Sequence, residues 1–398
     1  MTYEYLLTQA VIIDWILFIP LAFCVGYLFF FAIASRFQSH LIDRKFKPQK
    51  QHRFLVLFPA YKEDRVIADS VSSFLKQDYP TSLYDVLVIS DHMQPETNDA
   101  LRSFGVKVLE ATYANSSKAK AMKLAMQETP AGKYDAIIIM DADNTTVPHF
   151  LTRINQVYSQ GFIALQAHRT SKNLTTNIAL LDAVSEEINN GFFRSGHNAV
   201  RLSAALSGSG MVIAEQNFRR YVLQLKTTGE DKELEALILK ESCGLIAYIS
   251  DLPVYDEKTQ RQEAISNQRR RWIAAQFGAL RASLPEFPKA LIQGNRDYCD
   301  KIIQWMLPPR LVQLAAVFGF TLLATVVCPV MSIKWWILSF IQFVAMLVPV
   351  PSELMTGRLL RALMRIPVLA FIMIGNLFKL KGANKKFIHT EHEGSENK

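Results

Sequence analysis

With 398 residues, half of them hydrophobic, the chain can hold one large domain or two smaller ones at the apolar end of the globular range. Four cysteines, with Cys24 and Cys328 inside apolar runs, exclude a disulfide framework and a zinc pattern, and place the catalytic part in a reducing compartment. The net charge of +8 comes largely from Lys and Arg beside apolar segments, facing anionic lipid; without an aromatic-interleaved basic module, nucleic acid is excluded as a partner.

Val11 to Ala34 contains one acidic residue, Asp14, and is otherwise apolar over more than the roughly 20 residues a membrane span needs. No basic n-region precedes it and no small-residue cleavage site follows, so it reads as a retained anchor. Arg36, Arg44, Lys45 and Lys47 then put the next domain in the cytoplasm and the N-terminus outside, in what is expected to be a bacterial plasma (inner) membrane.

From Phe54, short apolar strands alternate with helical stretches, the pattern of an α/β domain with a largely parallel sheet. Phe54 to Phe58 ends in Pro59, Ala60, Tyr61, Lys62, Glu63 and Asp64. Val86 to Ile89 ends in Ser90, Asp91 and His92. Val106 to Leu109 precedes a Ser116 to Lys120 segment that opens a helix through Met126. Ile137 to Met140 delivers Asp141 and Asp143. Ligands of open α/β sheets gather outside the carboxyl ends of strands, so these polar ends converge on one nucleotide site. Neither Gly-x-Gly-x-x-Gly nor a Walker loop is present. Instead Asp91 and Glu63 suit a ribose or base edge, Tyr61 a base face, and Lys118 or Lys120 a phosphate. Asp141 and Asp143 offer hard oxygen ligands to Mg2+ or Mn2+, ions that share their shell with phosphates. The alternative is an Asx turn stopping the strand, with Pro148 starting a helix.

Phe162 to Ala167 reads as a further strand and Thr176 to Asn190 as a helix. Gly208 and Gly210 around Ser209 either bring backbone close to an acceptor sugar or permit a tight turn. In Thr227 to Asp231, the pair Thr228 and Asp231 reads equally as a capping box or as a loop delivering Asp231 as general base. Gln268, Arg271 and Trp272 share one face of a helix over Gln262 to Leu280, able to hold a diphosphate and lay an indole on a sugar. The rival reading is a basic helix at the membrane surface.

Tyr298 to Met306 is amphipathic, Leu311 to Val330 and Trp335 to Val350 are spans, and Lys334 stands between them with no other charge nearby. Basic residues flank Ile366 to Phe378, which is therefore an interfacial or re-entrant helix, and a polar tail follows. The expected divisions are an anchor at 1–36, a catalytic domain at 50–282, an interfacial region at 283–310, two spans at 311–352 and the remainder at 353–398.

The order of PAYKED, SD, SSKAKA, DAD, GSG, TGED and QRRRW between membrane segments resembles the membrane-integrated family 2 glycosyltransferases, which include cellulose, chitin and hyaluronan synthases. The resemblance implies a GT-A nucleotide-sugar-binding domain, a UDP-sugar donor and inversion at the transferred sugar. It implies that Asp91 and the Pro59 to Glu63 loop contact uridine, that Asp141 and Asp143 hold the diphosphate through a metal, and that Asp231 is the base. Gln268, Arg271 and Trp272 would bind diphosphate and acceptor, with Gly208, Ser209, Gly210 and Glu230 on the acceptor side. Three crossings are few for a polymer channel unless interfacial helices, a second copy or accessory subunits contribute. Extension of a β-linked polysaccharide, single transfer onto a membrane lipid, and a silent nucleotide-binding subunit are the three readings to separate.

Overall fold

The computed structural model describes residues 3–37, 39–227, 229–241, 244–258 and 262–377. Eight strands form one sheet: β1 Phe54–Tyr61, β2 Tyr84–Asp91, β3 Lys107–Ala111, β4 Ala136–Ile139, β5 Thr145–Thr146, β6 Ala164–Ser171, β7 Met211–Ala214 and β8 Ile246–Asp256. Their spatial order is β3-β2-β1-β4-β7-β6-β8-β5. Alternate residues of the apolar runs enter two separate cores. Leu57, Ile89, Ile139 and Ile213 pack on one face of the sheet, and Phe58, Val88, Ile138 and Val212 on the other. Burial on both faces is why these strands read as unbroken β-branched runs.

The expected largely parallel sheet is mixed. β1, β2, β3 and β4 are parallel, but β7 is antiparallel to both β4 and β6, and β5 is antiparallel to β8. The chain reaches β7 from the Ser207 to Gly210 turn at the carboxyl end of β4, where Gly210 N bonds Ile139 O at 2.9 Å, so β7 runs back along the sheet. Pairing of Tyr61 with Asp91 and of Leu57 with Ile139 brings the ends of β1, β2 and β4 to one edge.

Eight helices matter for the site and its mounting: α1 Tyr3–Ala34, α2 Lys118–Gln127, α3 Asn177–Asn190, α4 Glu230–Lys240, α5 Gln262–Ser283, α6 Arg310–Val327, α7 Pro329–Leu347 and α8 Ile366–Leu377. Ser117 caps α2 by accepting from Lys120 N, and Thr176 caps α3 by accepting from Ala179 N. No helix starts at Pro148; the next begins at Phe150. Thr228, half of the expected capping box, and the tail beyond Leu377 lie outside the described residues.

Among the described residues three helices are long and apolar enough to cross a membrane: the Gln9–Ala34 part of α1, α6 and α7. Val25, Val317, Trp335 and Leu338 form their shared core, while Ile16, Val326 and Phe340 point outward. Lys334 was expected to stand without a charged neighbour between two spans. It lies inside α7 and pairs with Asp14 of α1; Trp335 Nε1 donates to the same carboxylate at 2.7 Å. Charge within an apolar bundle is retained by such pairing, and a sequence separation of 320 residues hides the partner.

The bundle is docked tightly on the sheet-containing part of the chain. A Cβ on Gly196 would strike the Phe31 carbonyl of α1, and one on Gly191 would strike Pro349. Tyr27 donates to Asp300 Oδ1 at 2.7 Å, His197 Nε2 lies 3.0 Å from Asp300 Oδ2, and Phe31 stacks on His197 at 3.7 Å.

Candidate active site

The edge where β1, β2 and β4 end opens into a single cleft of ≈ 1100 Å³. At one end it is lined by Pro59, Ala60, Tyr61, Glu63 and Asp91. Lys62 and His92 adopt φ of 56° and 58° where β1 and β2 finish, a left-handed conformation uncommon for non-glycine residues. The two turns set Tyr61 and His92 edge to face at 5.6 Å, and His92 Nδ1 meets the buried Asp91 Oδ1 at 2.6 Å.

Beyond this, Asp141 and Asp143 face the cleft at the end of β4. Lys118 ion-pairs with Asp141 and donates to Gly208 O at 2.7 Å. Burial works against the Lys118 ammonium, but Asp141 and Glu230 outweigh it and raise its pKa. Asp143 Oδ2 accepts from Glu257 N at 2.7 Å. Among the described residues no three His, Cys, Asp or Glu side chains cluster as a metal site. The donor set of two hard carboxylates beside the Lys118 ammonium still fits a divalent ion whose other ligands come from a diphosphate, because Mg2+ is characteristically held that way.

Arg271 also lines the cleft; burial lowers its pKa, opposed by the charges of Glu230, Asp141 and Asp231, which places it among these three carboxylates. Gln268 and Trp272 line the same wall, and Gln268 Oε1 is buried with no hydrogen-bond partner among the described residues. Such an atom calls for a ligand donor.

Glu230 and Asp231 open the first turn of α4, which follows Gly229 with no side-chain cap. A Cβ on Gly229 would lie 2.6 Å from Ala275 Cβ of α5, so α4 and α5 meet in backbone-close contact. Burial pushes Glu230 up to about 7; Lys118 opposes it, and Asp231 and Asp141 add to it. A carboxyl whose folded pKa is raised favours folding most below its unfolded pKa, near 4.5, and loses that contribution as pH rises through about 7. Glu230→Gln keeps the neutral form at every pH. In EDTA the variant's unfolding midpoint should exceed that of the unmutated protein by a few degrees at pH 8 and approach it at pH 5. A difference independent of pH would contradict the burial assigned to Glu230.

Three expected site residues are placed elsewhere. Ser209 is fully buried behind the Asp141 turn; its hydroxyl donates to Asn144 Oδ1 and accepts from Asp141 N at 3.1 Å. Gly210 has φ 64° and packs where a Cβ would lie 3.0 Å from Val254 and 3.2 Å from Ala167. Of the GSG turn, Gly208 alone lines the cleft. Lys120 is exposed on the outer side of α2, its amine 2.6 Å from Asn115 O and over the Tyr113 ring, so Lys118 is the lysine that enters. An i, i+2 pair on a helix cannot point the same way.

Several cleft residues escaped sequence reasoning. Arg169 of β6 pairs with Asp256 of β8 at 2.6 Å, and Lys258 approaches the same carboxylate at 2.9 Å. Arg194 pairs with Glu186 at 2.9 Å. Strand β8 carried no clear apolar alternation, and without it the Asp256 partners could not be assigned.

Fold and cleft together describe a GT-A-type domain with membrane-compatible helices at both ends. The sequence profile of "Glycosyltransferase like family 2" matches residues 52–275. The chain therefore belongs to that glycosyltransferase family. Among solved structures it is similar to the mannosyltransferase PcManGT from Pyrobaculum calidifontis in complex with GDP-Man and Mn2+. That pair shares 14% identity and a TM-score of 0.51 over 85% of this chain and 96% of that one. Residues 1–349 of TarS from S. aureus share 12% identity and a TM-score of 0.44, over 83% and 90% of the two chains. Glucosyl-3-phosphoglycerate synthase from Mycobacterium tuberculosis, with Mn2+, UDP and phosphoglyceric acid, shares 15% and 0.41 over 57% and 78%. At such identities the likeness concerns the fold. No curated protein matches the sequence.

Proposed function

We propose that the protein is a membrane-bound, inverting glycosyltransferase that moves a sugar from a nucleoside-diphosphate sugar, a UDP-sugar in the first instance, to the hydroxyl of a membrane-held acceptor. One observation carries this reading. The cleft that gathers Asp141, Asp143, Asp231 and Arg271 continues into an apolar end lined by Leu311, Leu314, Phe343, Met346, Leu359 and Ile372. Four of these belong to the two adjacent apolar helices α6 and α7. Basic residues after α1 support a cytoplasmic catalytic domain and an outside N-terminus.

The uridine contacts fall to Asp91, Tyr61 and Glu63, with Pro59 and Ala60 shaping the loop. Asp141 and Asp143 would hold Mg2+ or Mn2+, which supplies charge neutralisation for the diphosphate. Lys118 and Arg271 add fixed positive charge on the leaving-group side. Asp231 takes the proton of the acceptor hydroxyl; its oxygen bonds to the anomeric carbon from the face opposite the departing diphosphate, the bond from that carbon to the phosphate oxygen breaks, and configuration inverts. Gln268 Oε1 receives a hydroxyl hydrogen of the acceptor and Trp272 covers the sugar face, with Gly208 and Glu230 beside them.

The deciding experiment is UDP release by purified protein across a panel of UDP-sugars with Mg2+ or Mn2+. Metal-dependent release from one donor supports the reading; donor binding without hydrolysis or transfer would make the chain a silent subunit. Asp143→Asn should weaken Mn2+-dependent UDP binding about ten-fold, and unaltered metal dependence would remove it as a ligand. The residues of QRRRW on the cleft wall keep β-linked polysaccharide extension as a second reading. It predicts a product ladder, with a second copy or accessory subunits completing a channel, where lipid transfer predicts one lipid-linked product.

A further inference from the structure

Between the carboxylates and the apolar end of the cleft lies a pair of arginines with no role in the chemistry above. Arg269 follows Gln268 on α5, and Arg310 is the first residue of α6, directly before the apolar Leu311. Both guanidiniums converge on one hydroxyl of α3: Arg269 Nη1 lies 3.2 Å and Arg310 Nη2 3.0 Å from Ser185 Oγ. Two like charges on one small hydroxyl repel unless an anion joins them.

Their compensation is unequal. Arg269 is paired with Asp182 at 2.6 Å and lies over the Trp272 ring at 5.0 Å. Among the described residues Arg310 hydrogen-bonds Ser185, through its hydroxyl and its carbonyl, and lies over the Phe192 ring at 5.9 Å, with no carboxylate paired to it. Its Nη1 is buried with no hydrogen-bond partner among the described residues. The neighbouring Glu186 is committed to Arg194. A buried guanidinium donor left open is costly, and the group that satisfies it best is a phosphate or carboxylate taking the planar fork. Both arginines line the cleft.

Position then selects the anion. On one side of Arg310 its own helix supplies Leu311 and Leu314 to the apolar end; on the other, Arg269 is adjacent to Gln268 and stacked on Trp272. We propose that Arg310 and Arg269 bind a phosphate that joins the hydrocarbon chain of a lipid acceptor to its reacting sugar. The acceptor class is then a phosphate-bearing amphiphile in place of a neutral lipid. The inference rests on the membrane-held acceptor proposed above, and the phosphate bridges the polar and apolar halves of one cleft.

The test uses the full-length protein in an uncharged polyoxyethylene detergent. Dissociation constants are measured for farnesyl phosphate and farnesol, for phosphatidic acid and the matching diacylglycerol, and for UDP. The unmutated protein should bind a lipid phosphate at least about ten-fold tighter than its alcohol. Arg310→Gln should abolish that preference while leaving UDP affinity unchanged, which also certifies its fold. Equal binding of phosphate and alcohol by the unmutated protein overturns the proposal without reference to any variant. A preference retained by Arg310→Gln overturns it too. Failure of the unmutated protein to bind UDP would overturn the UDP-sugar donor reading beneath it, even where the phosphate preference holds.

Discussion

Asp231→Asn is expected to lower turnover by about 10²–10⁴-fold and to leave UDP affinity unchanged. Asp231 stands in the first turn of α4, partly exposed to the cleft, its Oδ1 oriented by Lys232 N at 2.8 Å. A base there would reach an acceptor hydroxyl without touching the proposed nucleotide end, which is built from β1 and β2. Glu230 next to it cannot take over, because burial holds it partly protonated near neutral pH. Removing the Asp231 charge lowers the Glu230 pKa, since that charge is one of the contributions raising it, but does not move the Glu230 carboxylate into place. Single-turnover rates and UDP binding on the same preparation decide the matter. Lost UDP affinity with turnover retained would sink the role given to Asp231.

Gly229→Ala should cost about 10²-fold in turnover through position alone. The backbone at Gly229 has φ −109°, open to any residue, so the effect is steric. The added methyl meets Ala275 Cβ at 2.6 Å, and Ala275 rides on the helix that carries Gln268, Arg271 and Trp272. Pushing α4 from α5 would separate the proposed base from the proposed diphosphate and acceptor contacts. Ala275→Gly removes the obstructing carbon, so the double variant should recover most of the loss, a coupling that a four-protein cycle measures. Full activity in Gly229→Ala, or no recovery in the double variant, would show that this contact does not set the site.

Sequence alone determined the periodic and compositional features. Buried strands such as Ala136–Ile139 show as β-branched runs, the membrane-compatible part of α1 as an unbroken apolar stretch, and the polar residues at the ends of β1, β2 and β4 as cleft residues. These depend on neighbours a few positions apart and on the rule that parallel strands expose their carboxyl ends to ligand. The membrane-compatible helices were legible for the same reason.

Tertiary structure decided which of those residues act together. Lys118 and Lys120 are equivalent in sequence, and only the packing of α2 turns one of them inward. Ser209, read as facing an acceptor, supports the Asp141 turn from behind because β7 runs antiparallel into the sheet. Arg169 with Asp256, Asp14 with Lys334, and Arg269 with Arg310 at Ser185 join residues from separate elements. No local pattern records such pairs: a charge is placed by the partner that offsets its desolvation, and where that partner arrives is set by the path of the whole chain.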